Sequence, residues 1–471
     1  MTGRTDYDRA LDYLYSFVDY SLKHISELAK ADFNLDRMFA LMEALGNPQQ
    51  HYRIIHVAGT KGKGSVSAMV AAVLRAAGYE TGLYTSPHLT DYVERIQVNG
   101  RPISHAALAR LVDQVRPAVD RIPRLTTFEI TTATGLLAFR LRNVDFAVVE
   151  VGLGGRLDAT NIVLPAVAVI TSLSMDHMLV LGDTLEKIAA EKAGIIKAGV
   201  PVIVAPQKPE ALEVLRRIAA ERGAPLTIVG KDVEFHGDAR TLRGQHLTVS
   251  RVQVSAPTAL AGGAEIQARI PLLGEHQMEN AALAVAVVWE LRAQGTRITT
   301  AAIRAGLSRV RWPARFEVLR REPPVVIDSA HNRDSARRLR ETLRAFFPGR
   351  PAILIFCALE DKDIPGMLDE LRPVVERVIV TRADHPRAPR IEWLAEQVSK
   401  AGLPVEARAK ASSALSRALA LAGSRSLVLV AGSVAFAGEM RALWLKQHKP
   451  AAGDKAASRA RSRGTPGVPK K

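Results

Sequence analysis

HVAGTKGKGSVSAMV, residues 56–70, is the stretch on which the fold turns. An apolar run with strand character, Tyr52 to Val57, leads into it, and an apolar helical pattern follows. Strand, glycine-rich bend and helix, in that order, turn unblocked backbone N–H groups and the positive end of a helix dipole toward the bend. That is how a chain cradles phosphate. The spelling departs from the common phosphate loop, G-x-x-x-x-G-K-[ST]. The Gly62-Lys63 pair would need a glycine where Val57 stands and a hydroxyl where Gly64 stands; the hydroxyl comes one place later, at Ser65. Gly59, Thr60, Lys61, Gly62, Lys63, Gly64 and Ser65 therefore read as a phosphate loop of another subclass.

Outward from the loop, residues 52–205 alternate short Val/Ile-rich runs with helical patterns. Strands are expected at 54–58, 81–84, 146–151, 166–171 and 201–205. Continuous apolar strands of this kind suit a parallel sheet buried on both faces. Upstream, NLDRMFALMEALGNP (34–48) carries apolar residues at helical spacing and a Gly-Asn-Pro stop. Downstream, residues 233–271 change texture, and HLTVSRVQVS alternates as antiparallel strands do. A helix is expected over 280–293, then a basic, irregular junction over 294–322. A second alternation follows, with strands in PVVIDSA, AILIFCA, RVIVTRA and SLVLVAG. The expectation is an α/β chain of two nucleotide-binding-like domains with a cleft between them. The first is a phosphate-loop mononucleotide-binding domain over 1–311 with a helical N-terminus. The second is a smaller Rossmann-like domain over 312–446.

Composition sets the bounds. A chain of 471 residues, 47% apolar and 24% charged, has material for a large core. The length suggests about two to four domains at roughly 150 residues each. The single cysteine, Cys357, excludes an internal disulfide and a cysteine-rich metal cluster, and fits a reducing compartment. The opening, MTGRTDYDRALDYLYSF, lacks a signal-peptide core. No apolar run reaches the ~18 residues of a membrane span, so the chain reads as cytoplasmic, with no membrane partner. Of the net charge of +16, residues 446–471 carry +7, from eight Lys/Arg against one Asp. With no aromatic residue and no periodic apolar face, 447–471 reads as a solvated, disordered basic tail, and no nucleic-acid partner is expected.

In open parallel sheets ligands sit beyond the carboxyl ends of the strands. Here those ends carry the phosphate loop, then Ser86 and His88, then Glu150 followed by GLGGRLDATN, then Asp176 and His177. Each has a plainer reading: Ser65 a helix cap, Ser86 a turn residue, His177 a core histidine, Asp158 a brace for a glycine-rich turn. Glu150 in an apolar strand needs a cation or a proton. Hydroxyl, carboxylate and imidazole around a nucleotide suit Mg²⁺, which keeps phosphate and water oxygens, although imidazole is its less usual ligand. No Cys/His spacing supports zinc. DTLEKIAAEKAGIIKAG (183–199) reads as a helix with a capping box at Asp183 and Glu186, and Lys192 near its end complements the helix dipole.

Ten motifs in order give the chain a family resemblance: HVAGTKGKGSV, YTSPHL, TTFEITTATGLLAF, VVEVGLGGRLDATN, DHMLVLGDTLEKIAAEKAGIIK, GEHQMENAALA, RWPARFE, VVIDSAHN, ALEDKD and HPRA. The sequence closely resembles the folylpolyglutamate synthase/dihydrofolate synthase family of the Mur-ligase superfamily, over about residues 34–440. Family members often carry Asn where Lys61 stands, and DHT or DHQ where this chain reads DHM.

The resemblance implies a Mur-ligase-type fold and an activity. ATP phosphorylates a carboxylate to an acyl phosphate. The α-amine of L-glutamate then attacks it, giving an amide, ADP and phosphate. The acid is the γ-carboxylate of a folate's terminal glutamate or the carboxylate of dihydropteroate. The same resemblance implies that Lys63 and the loop amides hold the β- and γ-phosphates. Ser65, Ser86, Glu150 and His177 would hold Mg²⁺, and Lys192 would be carbamylated, as N6-carboxylysine, to organise that site. Thr127, Phe128 and Asp158 fall in segments that line the pterin pocket. Asn280, Arg315 and Asp328 match ATP contacts, and His331 belongs to the glutamate site. Plainer readings stay open: a helix cap for Asn280, an interdomain salt bridge for Arg315 and Asp328. A monomer is expected. The rival activity is another Mur-type ligase acting on a cell-wall or polymer precursor, against which TTFE and GLGGRLDATN argue.

Overall fold

The computed structural model describes residues 4–20, 33–252 and 265–448. The strand before the phosphate loop, β1 (Arg53–Ala58), is buried over five of its six residues. Successive side chains point to opposite faces, so Ile54 joins one apolar cluster and Ile55 and Val57 another. Seven further strands extend this sheet: β2 (Thr81–Tyr84), β3 (Ile96–Val98), β4 (Arg101–Pro102), β5 (Phe146–Glu150), β6 (Val167–Ile170), β7 (Val202–Val204) and β8 (Leu226–Ile228). Their order is β4-β3-β2-β5-β1-β6-β7-β8. The six from β2 to β8 in that order run parallel. β3 and β4 add an antiparallel edge. The five strands expected between residues 52 and 205 are all present, each within one residue at either end. The chain passes from β5 to β6 across β1, a reversal that opens a crevice at the carboxyl end of β1.

Helices cover both faces. Lys63–Ala76, Glu275–Ala293 and Thr300–Arg309 pack on one. Asp6–Tyr15, Asp36–Ala44, His105–Val119 and Thr127–Leu141 pack on the other. The alternating segment forms an antiparallel sheet of β9 (Val233–Thr241), β10 (Gly244–Arg251) and β11 (Ile266–Ile270), whose Leu247, Val249 and Ile270 enter the first of these cores.

Three expectations need correction. The helix expected over 280–293 begins at Glu275, capped by Gly274, so Asn280 lies inside it and caps nothing. The stretch 294–322 is not irregular. It holds the helix Thr300–Arg309, whose Thr299 hydroxyl accepts the N–H of Ala302 at 3.1 Å, and the strand β12 (Glu317–Arg321). Thr184, not Asp183, caps the helix Leu185–Ala193, accepting the N–H of Lys187 at 3.3 Å, and Asp183 instead pairs with the Lys187 ammonium at 2.8 Å.

The second sheet holds β12, β13 (Pro324–Ile327), β14 (Ala352–Phe356), β15 (Val375–Val380), β16 (Val405–Ala407) and β17 (Leu427–Ala431), in the order β12-β13-β17-β14-β15-β16. All are parallel except β12. The boundary expected at 311/312 falls between the helix Thr300–Arg309 and β12. The last helix is Val434–Gln447, and the basic tail lies outside the described residues from 449 onward. No helix among the described residues is long and apolar enough to cross a membrane.

Candidate active site

The loop after β1 bends over two glycines that nothing larger can replace. Gly59 has φ +146°, and a Cβ there would lie 1.8 Å from the Thr171 hydroxyl; Gly62 has φ +93°, and its Cβ would lie 2.4 Å from Asn280 Oδ1. Gly62 is also the N-cap of the helix Lys63–Ala76. Ser65 is therefore the third helical residue rather than a cap, and it is buried. The N–H groups of Thr60 and Lys61 both bond the Ser172 carbonyl, at 3.0 and 3.1 Å, so neither is free to meet a phosphate. The amides of Lys63, Gly64 and Ser65, in the first helical turn, have no intrahelical partner.

Two ammonium groups converge on the loop. Lys63 and Lys192 both donate to the Gly59 carbonyl, at 3.2 and 3.0 Å. Burial and the neighbouring Lys63 charge lower Lys192 to about 7. Glu150 ends β5, in register with Val57, and accepts the N–H of Ser86 at 3.3 Å. Burial raises its carboxyl to about 7, against the pull of Lys63. Among the described residues it makes no ion pair. His177 sits in the left-handed region at φ +52°, a conformation that costs on the order of 1 kcal/mol and clusters at functional sites. Its ring is held neutral, lowered to about 4 by burial, and its Nδ1 is buried with no partner. No group of three or more His, Cys, Asp and Glu side chains gathers for a metal among the described residues. A cation here must take its remaining oxygens from hydroxyls, water or phosphate. An unpaired buried carboxylate and an orphaned imidazole nitrogen fit such an ion.

Lys61 turns elsewhere than to the phosphate cradle. Its ammonium donates to Asp176 Oδ2 at 3.0 Å and to His331 Nε2 at 3.1 Å. Asp176 also accepts from Asn332 Nδ2 at 2.8 Å, and Lys362 stands 3.7 Å from its other oxygen. Burial opposes its ionisation, yet the Lys61 and Lys362 ammonium groups hold Asp176 well below the usual carboxylate range. His331 donates through Nδ1 to the Ser329 carbonyl at 2.9 Å, which leaves Nε2 as the acceptor for Lys61.

Asp328 accepts the N–H groups of Phe316 and Ala330 at 2.7 and 2.8 Å. Burial raises it, and Arg315 works in the opposite direction without closing an ion pair. The interdomain salt bridge of the plainer reading is thus not formed. Asn280 donates to Gln277 at 3.1 Å and packs its amide on Gly62.

Thr127 is spent on structure, its hydroxyl donating to the carbonyls of Leu14 and Phe17 at 2.9 and 3.3 Å. Asp158 caps the short turn Ala159–Ile162 and also accepts from Leu153 N–H at 2.8 Å, so it braces the glycine-rich turn. The Phe128 ring faces Gly152, where a Cβ would come within 2.4 Å of it. The site residues expected from the sequence, together with Asp176 and Lys362, line one cavity of about 960 Å³ between the two sheets. Two of its features were not foreseen: the hub that Asp176, expected only as a strand-end acid, forms with Lys61, Asn332 and Lys362, and Arg95. The signal for Arg95 is a charge embedded in the half-apolar DYVERIQV, which reads as an ordinary surface arginine.

Residues 57–288 match the Mur ligase middle domain, and residues 314–434 match the Mur ligase, glutamate ligase domain. The dihydrofolate synthase/folylpolyglutamate synthase of Bacillus subtilis (strain 168) is 37% identical over 416 residues, 86% of this chain and 94% of that protein. The chain belongs to the folylpolyglutamate synthase/dihydrofolate synthase family. Solved members superpose over nearly its whole length. The Mycobacterium tuberculosis folylpolyglutamate synthase complexed with ADP and AMPPCP gives a TM-score of 0.81 at 36% identity, covering 92% of this chain and 99% of that one. Escherichia coli FolC in complex with DHPP and ADP gives 0.81 at 31% identity, covering 94% and 99%. Like the rest of the family, this chain is an ADP-forming ligase, with a phosphate-loop domain followed by a smaller α/β domain.

Proposed function

We propose that this family member joins L-glutamate to a folate, to dihydropteroate or to both, through an acyl phosphate made from ATP. One observation carries the reading: Lys63 and Lys192 meet at the Gly59 carbonyl, beside a buried Glu150 with no ion-pair partner, in a cavity large enough for nucleotide and acid together. ADP, AMPPCP and DHPP in the two solved relatives support it.

A carboxylate is a poor acyl donor because its leaving oxygen is too basic, and phosphorylation removes that obstacle. The free amides of Lys63, Gly64 and Ser65, at a helix N-terminus, receive the phosphates. Lys63 lets go of Gly59 to follow the β- and γ-phosphates, offsetting the charge that builds up as the substrate carboxylate approaches. Asn280, Arg315 and Asp328 line the cavity where the rest of the nucleotide lies. Ser65, Ser86, Glu150 and His177 would hold a magnesium ion, which when bound would neutralise phosphate charge. The carboxylate oxygen attacks the γ-phosphorus and ADP leaves. The glutamate amine then attacks the acyl carbon, and phosphate departs with one oxygen of the original acid. Phe128 offers an aromatic face for the pterin, while Thr127 and Asp158 shape its pocket. His331 stands on the glutamate side of the cleft.

Lys192, lowered to about 7, is partly neutral at neutral pH, as an amine must be to take up CO₂. A ¹³C-carbamate resonance after incubation with labelled bicarbonate, absent in Lys192→Arg, is expected. Its absence in the wild type would remove the modification from the account. The function itself is tested by glutamate-dependent phosphate release with dihydropteroate and with a reduced folate monoglutamate. Release with neither, alongside release with a UDP-muramoyl peptide, would contradict the proposal.

A further inference from the structure

Arg95 lies in the cavity wall and closes no ion pair with an acid among the described residues. It closes the short helix Tyr92–Arg95, and its carbonyl accepts the N–H of Thr85, the residue before Ser86, at 3.0 Å. That bond fixes it beside the carboxyl end of β2, on the approach to the phosphate loop. The residue is 6% exposed and lines the large cavity. Nε donates to His88 Nδ1 at 3.0 Å, and the guanidinium carbon stands 4.6 Å from the Tyr92 ring centroid. Neither terminal nitrogen donates to a described residue. The nearest acids in sequence are occupied. Glu94 accepts from the N–H groups of Leu89, Thr90 and Asp91. Asp91 accepts from Tyr7 and His105.

A buried guanidinium that closes no ion pair is costly, and its planar fork matches a carboxylate bidentately. The stacked ring and the His88 bond hold the fork still, so little entropy is lost on binding. We propose that Arg95, oriented by His88 and Tyr92, binds a carboxylate of the acid acceptor and so helps determine which acids enter. This rests on the ligase reading above and adds the residue that recognises the acid's charge. Two carboxylates have the required chemistry: the one that becomes phosphorylated, and the non-reacting α-carboxylate of a folate's terminal glutamate. Dihydropteroate has only the first; a folate monoglutamate has both.

The test is binding by titration calorimetry in the presence of AMPPCP. The probes are dihydropteroate, a reduced folate monoglutamate and the carboxamide analogue of each, with wild type, Arg95→Gln and Arg95→Lys. The wild type is expected to favour acids over amides. Arg95→Gln should bind the acids roughly ten- to hundredfold more weakly and lose that preference, while Arg95→Lys retains part of it. AMPPCP affinity should be unchanged in both variants, which reports that they fold. Loss with both acids assigns the reacting carboxylate, and loss with the folate alone assigns the α-carboxylate. Undiminished preference for the acids in a folded Arg95→Gln overturns the proposal. A wild type that turns over neither acid would instead overturn the ligase reading.

Discussion

Glu150 shows most clearly how one residue's setting links stability to function. Burial raises its carboxyl from 4.5 to about 7. The unfolded chain loses that proton near 4.5, so between about pH 4.5 and 7 the folded state holds more protons. Stability contributed by this group therefore falls as pH rises through that window, by at most about 3 kcal/mol. Glu150→Gln abolishes the titration. Calorimetry without nucleotide or metal should show its Tm above that of the wild type at pH 8 and close to it at pH 5, while turnover falls about a hundredfold or more. Equal Tm differences at both pH values would mean that the carboxyl is not protonated in the fold. The sequence exposed Glu150 because a lone acid in an apolar strand is a local anomaly. It hid the direction of Lys61, whose partners Asp176 and His331 lie 115 and 270 residues away.

At the scale of elements, the loop and its helix work as one piece because Gly62 admits the Asn280 amide from the helix Glu275–Ala293. Gly62→Ala meets both a positive φ and an atom at 2.4 Å. The expected cost is about 2 kcal/mol in stability, with AMPPCP binding lost beyond detection in calorimetry. Full affinity in the variant would show that the loop does not depend on this packing. The central strands of the two parallel sheets were legible because each is a short apolar run. The helix Thr300–Arg309 was missed: Ala302, Ile303, Gly306 and Leu307 stand at helical spacing behind a Thr cap, but basic residues on its outer face masked the pattern. β12 and β16 gave little signal, since edge strands bearing charge carry no continuous apolar run.

Across the whole molecule, Asp176 ties the first domain to the second. It receives Lys61 from the phosphate loop and Asn332 and Lys362 from the second domain. This hub lies where the cleft must close to keep water from an acyl phosphate. Asp176→Ala leaves Lys61 buried without its carboxylate and should cost about 3 kcal/mol. Thermal unfolding reads that loss, and small-angle scattering should show a larger radius of gyration. An unchanged radius would mean that other contacts hold the domains together. Such a hub joins three distant segments and has no sequence signature, whereas the two α/β units it joins were each apparent from their own alternation. The central claim concerns the acid that enters this closed cleft. Dihydropteroate labelled with ¹⁸O in its carboxylate, turned over with ATP and glutamate, should yield phosphate bearing one ¹⁸O, and Lys63→Ala should yield none. Amide product accompanied by unlabelled phosphate would contradict the acyl-phosphate account.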